Sequence, residues 1–274
     1  MIYADLHIHS RYSDGSLDLD DLLTRIKNSG LRVFALSDHD KSDHYPLVRN
    51  KADDLGLRAI KATEMSCYDY DVDKKVHILA LFMKDESPNI ERLTQNTLRV
   101  REDNHKILIK NLKDKGYDID YKFVKKFAPH SIVFKSHILE ALRDKYPNKN
   151  FTYKNTFKSQ KDIETNRKMG YIDVFEAIKA CLKDGAVPFI AHPFLYDSYP
   201  RIEKYVDSGL KGIEVKHSKM TREDYELSKK LAKKYSLLIS GGSDFHDPSK
   251  DKLGIFGLSK EEFMSLDQGV RSLD

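Results

Sequence analysis

Cysteine is scarce in this sequence: of 274 residues only Cys67 and Cys181 are cysteines. They lie far apart without CxxC spacing, which excludes a disulfide framework and makes a reducing cytoplasm the expected home. No apolar run approaches the ~18 residues of a membrane span. Asp5 and His7 interrupt the N-terminal apolar stretch, so neither membrane insertion nor a secretion signal is expected. Walker and GxGxxG motifs are both missing, which argues against nucleotide binding through a glycine-rich phosphate loop. Repeats and low-complexity tracts are absent as well. Excess charge is small, with 47 Lys and Arg against 43 Asp and Glu for a net +4. These charges are interspersed, so solvated helix faces account for them better than a nucleic-acid surface does. Nothing indicates an obligate protein partner.

What is present is an α/β pattern. The apolar fraction of 40% suffices for a core, and the length suits one large domain or two small ones. A short strand ends in His7-Ile8-His9 and is followed by the turn Ser13-Asp14-Gly15. Asp18 to Ser29 reads as a helix with Leu19, Leu22, Leu23 and Ile26 on one face. Leu31 to Leu36 is a strand ending in Ser37-Asp38-His39-Asp40, and Ser42 to Leu55 is helical. Leu57 to Ser66 reads as one strand carrying Glu64, and Lys75 to Met83 as another carrying His77. From 85 to 171 the texture changes to long polar helices, Asn89 to Lys115 and Ser131 to Lys145, then a Lys-rich stretch over 148–169. The alternation then resumes. Asp173 to Asp184 is a helix, and the strand Val187 to Ala191 ends in His192-Pro193. After the strand Gly212 to Val215 and the helix Arg222 to Tyr235, Leu237 to Ser240 opens into Gly241-Gly-Ser-Asp-Phe-His246. Those two glycines are expected to turn the backbone sharply. The pattern predicts a parallel barrel over 1–84 and 172–274, with 85–171 as a helical insertion over the C-terminal face of the strands.

Side chains able to bind metal recur where these strands end. His7 and His9 leave one face of a strand about 7 Å apart, and the turn can fold Asp14 back toward them. His39, Glu64, His192, Asp244 and His246 occupy corresponding places. His77 is the exception, because it lies near the beginning of its strand. Nine candidate ligands exceed the three or four protein groups that one catalytic zinc needs. Two or three ions sharing a bridging carboxylate are therefore expected. Such centres suit phosphate-ester hydrolysis, because water ionises near neutral pH and paired ions clamp the attacking and leaving oxygens.

Six segments together resemble the PHP (polymerase and histidinol phosphatase) metallo-phosphoesterases: Asp5-Leu-His-Ile-His-Ser with Ser13-Asp14-Gly15, Ser37 to Asp40, Thr63 to Ser66, Val76-His77, Ala191 to Pro193, and Gly242 to His246. The resemblance implies a distorted (β/α)7 TIM-like barrel and a trinuclear site of manganese, iron or zinc. One ion would take His7, His9, Glu64 and Asp244, and a second Asp14, His39 and His246. The third would take His77 and His192, with Glu64 bridging to the first. A metal-bridging hydroxide would attack phosphorus, with Glu64, Asp244 and His246 as the catalytic set. The segment Phe134 to Leu142 resembles the insertion of a stand-alone subgroup that acts on nucleotides, nucleoside bisphosphates or the 5′ end of short RNA. This resemblance makes Lys135 and His137 substrate contacts. Lys135-Ser136 replaces the subgroup's Arg-Pro and so lacks the bidentate fork of arginine. His217, following a strand end, is a further candidate for the pocket lining. Asp5, Asp38 and Asp40 are expected to support metal-bound imidazoles, and Tyr12, Tyr68 and Tyr196 are possible stacking partners for a base. Histidinol-phosphate phosphatase and a non-catalytic metal-binding module are the alternative readings.

Overall fold

Nine strands form among the described residues: β1 (Ala4–Ile8), β2 (Val33–Leu36), β3 (Arg58–Lys61), β4 (Thr63–Asp69), β5 (Lys74–Leu81), β6 (Ile172–Asp173), β7 (Val187–Ile190), β8 (Gly212–His217) and β9 (Leu238–Gly242). In this computed structural model, which describes residues 1–167 and 170–273, they make two sheets, ordered β1-β2-β3 and β6-β4-β5-β7-β8-β9. The fold is α/β. The helix Leu19–Asn28 buries Leu19, Leu22, Leu23 and Ile26, the stripe that its 3.6-residue period requires.

Two expectations about the strands need correction. Leu57 to Ser66 is not one strand, since β3 pairs with β2 in the first sheet while β4 pairs with β5 in the second. Nor are the sheets wholly parallel as a strict (β/α)7 barrel would be, because β5 runs antiparallel to both β4 and β7. The cause is the short connection 70–73, with Asp73 at a φ of 54°. Such a link closes a hairpin, whereas a parallel crossover needs roughly a dozen residues. The reversal accounts for His77. The first half of β5 lies beside the end of β7, with Ile78 opposite Ile190 and the Ala191 N–H donating to His77 O at 3.0 Å. His77 therefore reaches the same end of the sheet as His192.

The two sheets share one apolar cluster, which takes Ala4, Leu6, Val33, Ala35 and Ile60 from the first and Leu79, Leu81, Val187 and Phe189 from the second. They also meet at isolated parallel pairs, Ile8 with Phe245 and His39 with Glu64. Both junctions fall among the candidate ligands.

Segment 85–171 carries the helices Pro88–Asp114, Tyr121–Lys125, Lys135–Lys145, Tyr153–Thr156 and Gln160–Arg167. It has its own core, including Leu108, Leu112, Val124, Ile138 and Leu142. The expected helix Ser131 to Lys145 begins only at Lys135, and the polar stretch 148–169 holds two short helices, its last two residues lying outside the described ones. Ser131 Oγ donates to Ser13 O at 3.2 Å and Lys41 Nζ to His130 O at 3.0 Å. The insertion is thus tied to the loops that bear Asp14 and His39.

Candidate active site

Two glycines let separate chain segments crowd together here. A Cβ on Gly15 would stand 2.5 Å from His9 O, so only glycine allows the Ser13-Asp14-Gly15 turn to close on the end of β1. A Cβ on Gly242 would stand 2.4 Å from His7 Cβ, so its absence lets β9 lie against β1. Gly241 and Gly242 belong to β9 itself rather than to a turn. The turn comes at Asp244, whose φ is 52°, and the Asp244 N–H donates to His7 O at 2.9 Å. His192, with a φ of 27°, is similarly strained.

Glu64 is the hub. Its Oε1 lies 2.8 Å from His77 Nδ1 and 2.7 Å from His192 Nε2. Its Oε2 lies 3.4 Å from His7 Nε2 and 3.2 Å from both His9 Nε2 and His39 Nδ1. Asp244 Oδ1 faces His7 Nε2 at 3.5 Å and His9 Nε2 at 3.4 Å. Asp14 Oδ1 faces His246 Nε2 at 3.3 Å and His9 Nδ1 at 3.6 Å. The nine residues singled out in the sequence fall into four overlapping groups: His9, Asp14, His39 and His246; His7, Glu64 and His192; His7, His9 and Asp244; and His39, Glu64 and His77.

These residues fit metal ions. Buried His7 Nε2, His9 Nε2 and His39 Nδ1, which face Glu64 Oε2, have no hydrogen-bond partner. His7 Nδ1 is 3.1 Å from Glu214 Oε1, so in the neutral ring the N–H points at Glu214 and Nε2 presents a lone pair to two carboxylates. Lone pair against lone pair is repulsive unless a proton or a metal ion stands between them. Donors on one ion at about 2.1 Å are spaced about 3.0 to 3.4 Å from one another, close to the 3.2 to 3.5 Å separations around Glu64 Oε2 and Asp244 Oδ1.

The buried charges act strongly on one another. Burial alone would raise the three carboxyls, but it is outweighed by His246 and His39 at Asp14, by His39 and His77 at Glu64, and by His246 and His7 at Asp244. All three are held well below the usual carboxylate range. Burial likewise opposes charge on His7 and His9. Glu214, Glu64 and Asp244 lift His7 nonetheless, and Asp244 with Glu64 lifts His9 to about 10.

Several side chains do not act as the sequence suggests. Asp5, Asp38 and Asp40 do not touch candidate ligand rings. Asp5 accepts the backbone N–H groups of His7 and Ser243, and Asp38 holds Ser10 and Ser13 in the turn before Asp14. Asp40 accepts from Ser66 N and from Arg101, which fixes β4 beside Glu64. His217 is held in place, its Nε2 lying 3.3 Å from Asp244 Oδ2 and its Nδ1 accepting the Lys219 N–H at 3.0 Å. Tyr196 packs edgewise on His77 at 5.1 Å, whereas Tyr12 stacks on His44 and Tyr68 on Tyr171.

His137 lines a cleft of about 560 Å³ together with Asp14 and His246. Its Nδ1 accepts the Phe134 N–H at 3.0 Å, so a neutral ring carries its proton on Nε2, which is buried without a partner. Burial pushes this imidazole down to about 4. It is therefore a neutral donor near pH 7, not an acid. Lys135 Nζ lies 5.7 Å over the Phe157 ring and makes no ion pair among the described residues. Burial, with Lys75 and Arg101 nearby, pushes it down to about 8.

Glu214 escaped the sequence reading. Glu214 accepts from His7 Nδ1 and from the His192 N–H at 2.7 Å, so it orients two candidate ligands at once. Its sequence signal is an acidic residue inside the apolar strand Gly212-Ile-Glu-Val.

The PHP domain family model matches residues 5–218. The chain belongs to the PHP domain family. This PHP protein is 31% identical over 246 residues to an Eggerthella lenta phosphoribosyl 1,2-cyclic phosphate 1,2-diphosphodiesterase, covering 88% of the chain and 93% of the relative. It is 27% identical to a Haemophilus influenzae 5′-3′ exoribonuclease, covering 89% and 90%. The crystal structure of a Bifidobacterium adolescentis protein described as a metal-dependent phosphoesterase superposes with a TM-score of 0.82 at 22% identity, covering 98% and 96%. Asp244 and His246 lie beyond the span matched by the family model, yet they join the same cluster. This PHP domain is a metal-dependent hydrolase of phosphoric esters.

Proposed function

We propose that this enzyme hydrolyses a phosphodiester or phosphomonoester of a small phosphorylated sugar or nucleotide, at a centre of two to three divalent transition-metal ions. The observation that carries this reading is the set of partnerless imidazole nitrogens around Glu64 and Asp244. Ligands would be His7, His9, Asp14, His39, Glu64, His77, His192, Asp244 and His246, a mixed nitrogen and oxygen set suited to manganese, iron or zinc. Ions bound there would supply ionised water near neutral pH and positive charge for the phosphoryl oxygens. The protein orients these ligands through Glu214, Asp38 and Asp5. His137 donates its Nε2–H to a substrate oxygen, and Lys135 meets a phosphate with its ammonium. The cluster shared by both sheets supports their acting as one distorted barrel, with segment 85–171 as the lid that bounds the cleft.

Small substrates are favoured over long RNA because Tyr153 and the Ser136–Arg143 helix face wall the cleft to about 560 Å³. The test is a panel of a ribose cyclic phosphate, nucleoside 3′,5′-bisphosphates, histidinol phosphate and a 5′-phosphorylated RNA, with elemental analysis of the same protein. Two to three metal equivalents and turnover of a small diester or bisphosphate are expected. Turnover of RNA alone would reject the substrate assignment, and metal-free protein with full activity would reject the centre.

A further inference from the structure

Three cations line the cleft, and while Arg143 donates to Phe151 O and Lys250 pairs with Asp247, Lys219 has only an exposed pairing. Lys219, in the loop after β8, lines the cleft beside Asp14 and His246. Its Nζ lies 3.6 Å from Asp244 Oδ2, with the lysine side chain 57% exposed and that of the aspartate 9%. A pair so open to water contributes little and is readily exchanged. The backbone beneath it is fixed, because the Lys219 N–H donates to buried His217. The ammonium can therefore move while its root stays in place.

The charges around it decide where it goes. Asp244 faces His7 and His9 through Oδ1 and Lys219 through Oδ2, so a divalent cation on Oδ1 would draw off the carboxylate's charge, weaken the pair and repel the ammonium. The other carboxylates in the cleft are already engaged. Asp14 faces imidazoles, and Asp247 holds Lys250 at 3.0 Å. Asp251 accepts the His246 and Asp247 N–H groups, and Glu140 faces Arg11 at 3.6 Å. The remaining counter-ion is an anion that enters from solvent.

We infer that Lys219 is a further catalytic residue of this phosphoesterase, its ammonium contacting an oxygen of the phosphoryl group being cleaved. The inference rests on the phosphoesterase reaction and not on which ester is the substrate. A compact ammonium suits a single oxygen as a point charge, where arginine would bind two.

Lys219→Met and Lys219→Arg, loaded with manganese, test it through metal content, calorimetric binding of inorganic phosphate, and kcat and KM on an aryl phosphate. Expected for Met are unchanged metal content, phosphate affinity about tenfold weaker and kcat/KM about tenfold lower. Arg should recover most of both. Phosphate affinity unchanged in Lys219→Met would overturn the inference. So would wild-type protein that holds metal but binds no phosphate. Loss of metal in step with activity would make Lys219 only a positioning partner of Asp244. Failure of the whole substrate panel with phosphate binding intact would reject the substrate reading and leave Lys219 assigned.

Discussion

Glu64→Gln is expected to lower kcat on an aryl phosphate by about a thousandfold or more, and to cut bound metal below one equivalent. The substitution keeps the shape of a buried side chain, so the backbone should stay folded by circular dichroism. What it removes is the charge that faces five imidazoles, those of His7, His9, His39, His77 and His192, at 2.7 to 3.4 Å. It also turns an amide N–H₂ toward nitrogens whose lone pairs are needed elsewhere. With Glu64 intact, one carboxylate can serve neighbouring ions through its two oxygens. Glutamine has one oxygen and no charge, so any ions shared through this side chain would be held less firmly. Metal content and kcat within tenfold of wild type would remove Glu64 from the centre of the site.

The second large effect is on the alkaline side of the pH profile. Burial, Lys75 and Arg101 push the Lys135 ammonium down to about 8, so it is charged below that pH and neutral above it. The free-enzyme value governs kcat/KM. If a substrate phosphate is its partner, as proposed, kcat/KM should therefore fall about tenfold per pH unit above 8. It should level off about a hundredfold lower, where a neutral lysine contributes no charge-assisted bond. Lys135→Met should show that lower level throughout and lose this limb, whereas Lys135→Arg should keep the higher level beyond pH 10. A profile in Lys135→Met with the same alkaline limb would assign the titration to another group. His137 lacks this behaviour, because burial holds it neutral down to about 4.

Much of the site was legible because its residues sit in short, distinctive strings at the ends of apolar runs. His7-Ile-His9, Asp38-His39-Asp40 and Asp244-Phe-His246 announce themselves without knowledge of what lies beside them, and the structure brings them together. Strand direction was not legible. Alternation of apolar residues marks a strand but not which way it runs, so β5 read as parallel until its hairpin was seen. Continuity misleads in the same way at Ala62, where a stretch without glycine or proline, Leu57 to Ser66, passes from one sheet to the other. Glu214 was hidden because its partners, His7 and His192, are remote in sequence and the strand around it is otherwise ordinary. The supporting aspartates were assigned to rings rather than to backbone N–H groups because adjacency in sequence is a poor guide to which neighbour a short side chain can reach.

The junctions between the two sheets have a mechanical consequence. Ile8 with Phe245 and His39 with Glu64 are isolated pairs, so little backbone holding crosses there, and candidate ligands stand on both sides of each. An ion gripping Glu64 together with His7 and His9 would act as a rivet between two plates otherwise joined by side-chain packing, a few backbone hydrogen bonds and the chain link at Ala62. Chelation should therefore do more than silence the enzyme. Hydrogen exchange at the amides of His9, Asp40 and Asp244, whose acceptors are Phe245, Glu64 and His7 across the junctions, should quicken in chelator while the interior of β7 stays protected. The catalytic centre would then also be the fastener of the fold, and metal supply would set how long the protein survives as well as how fast it works.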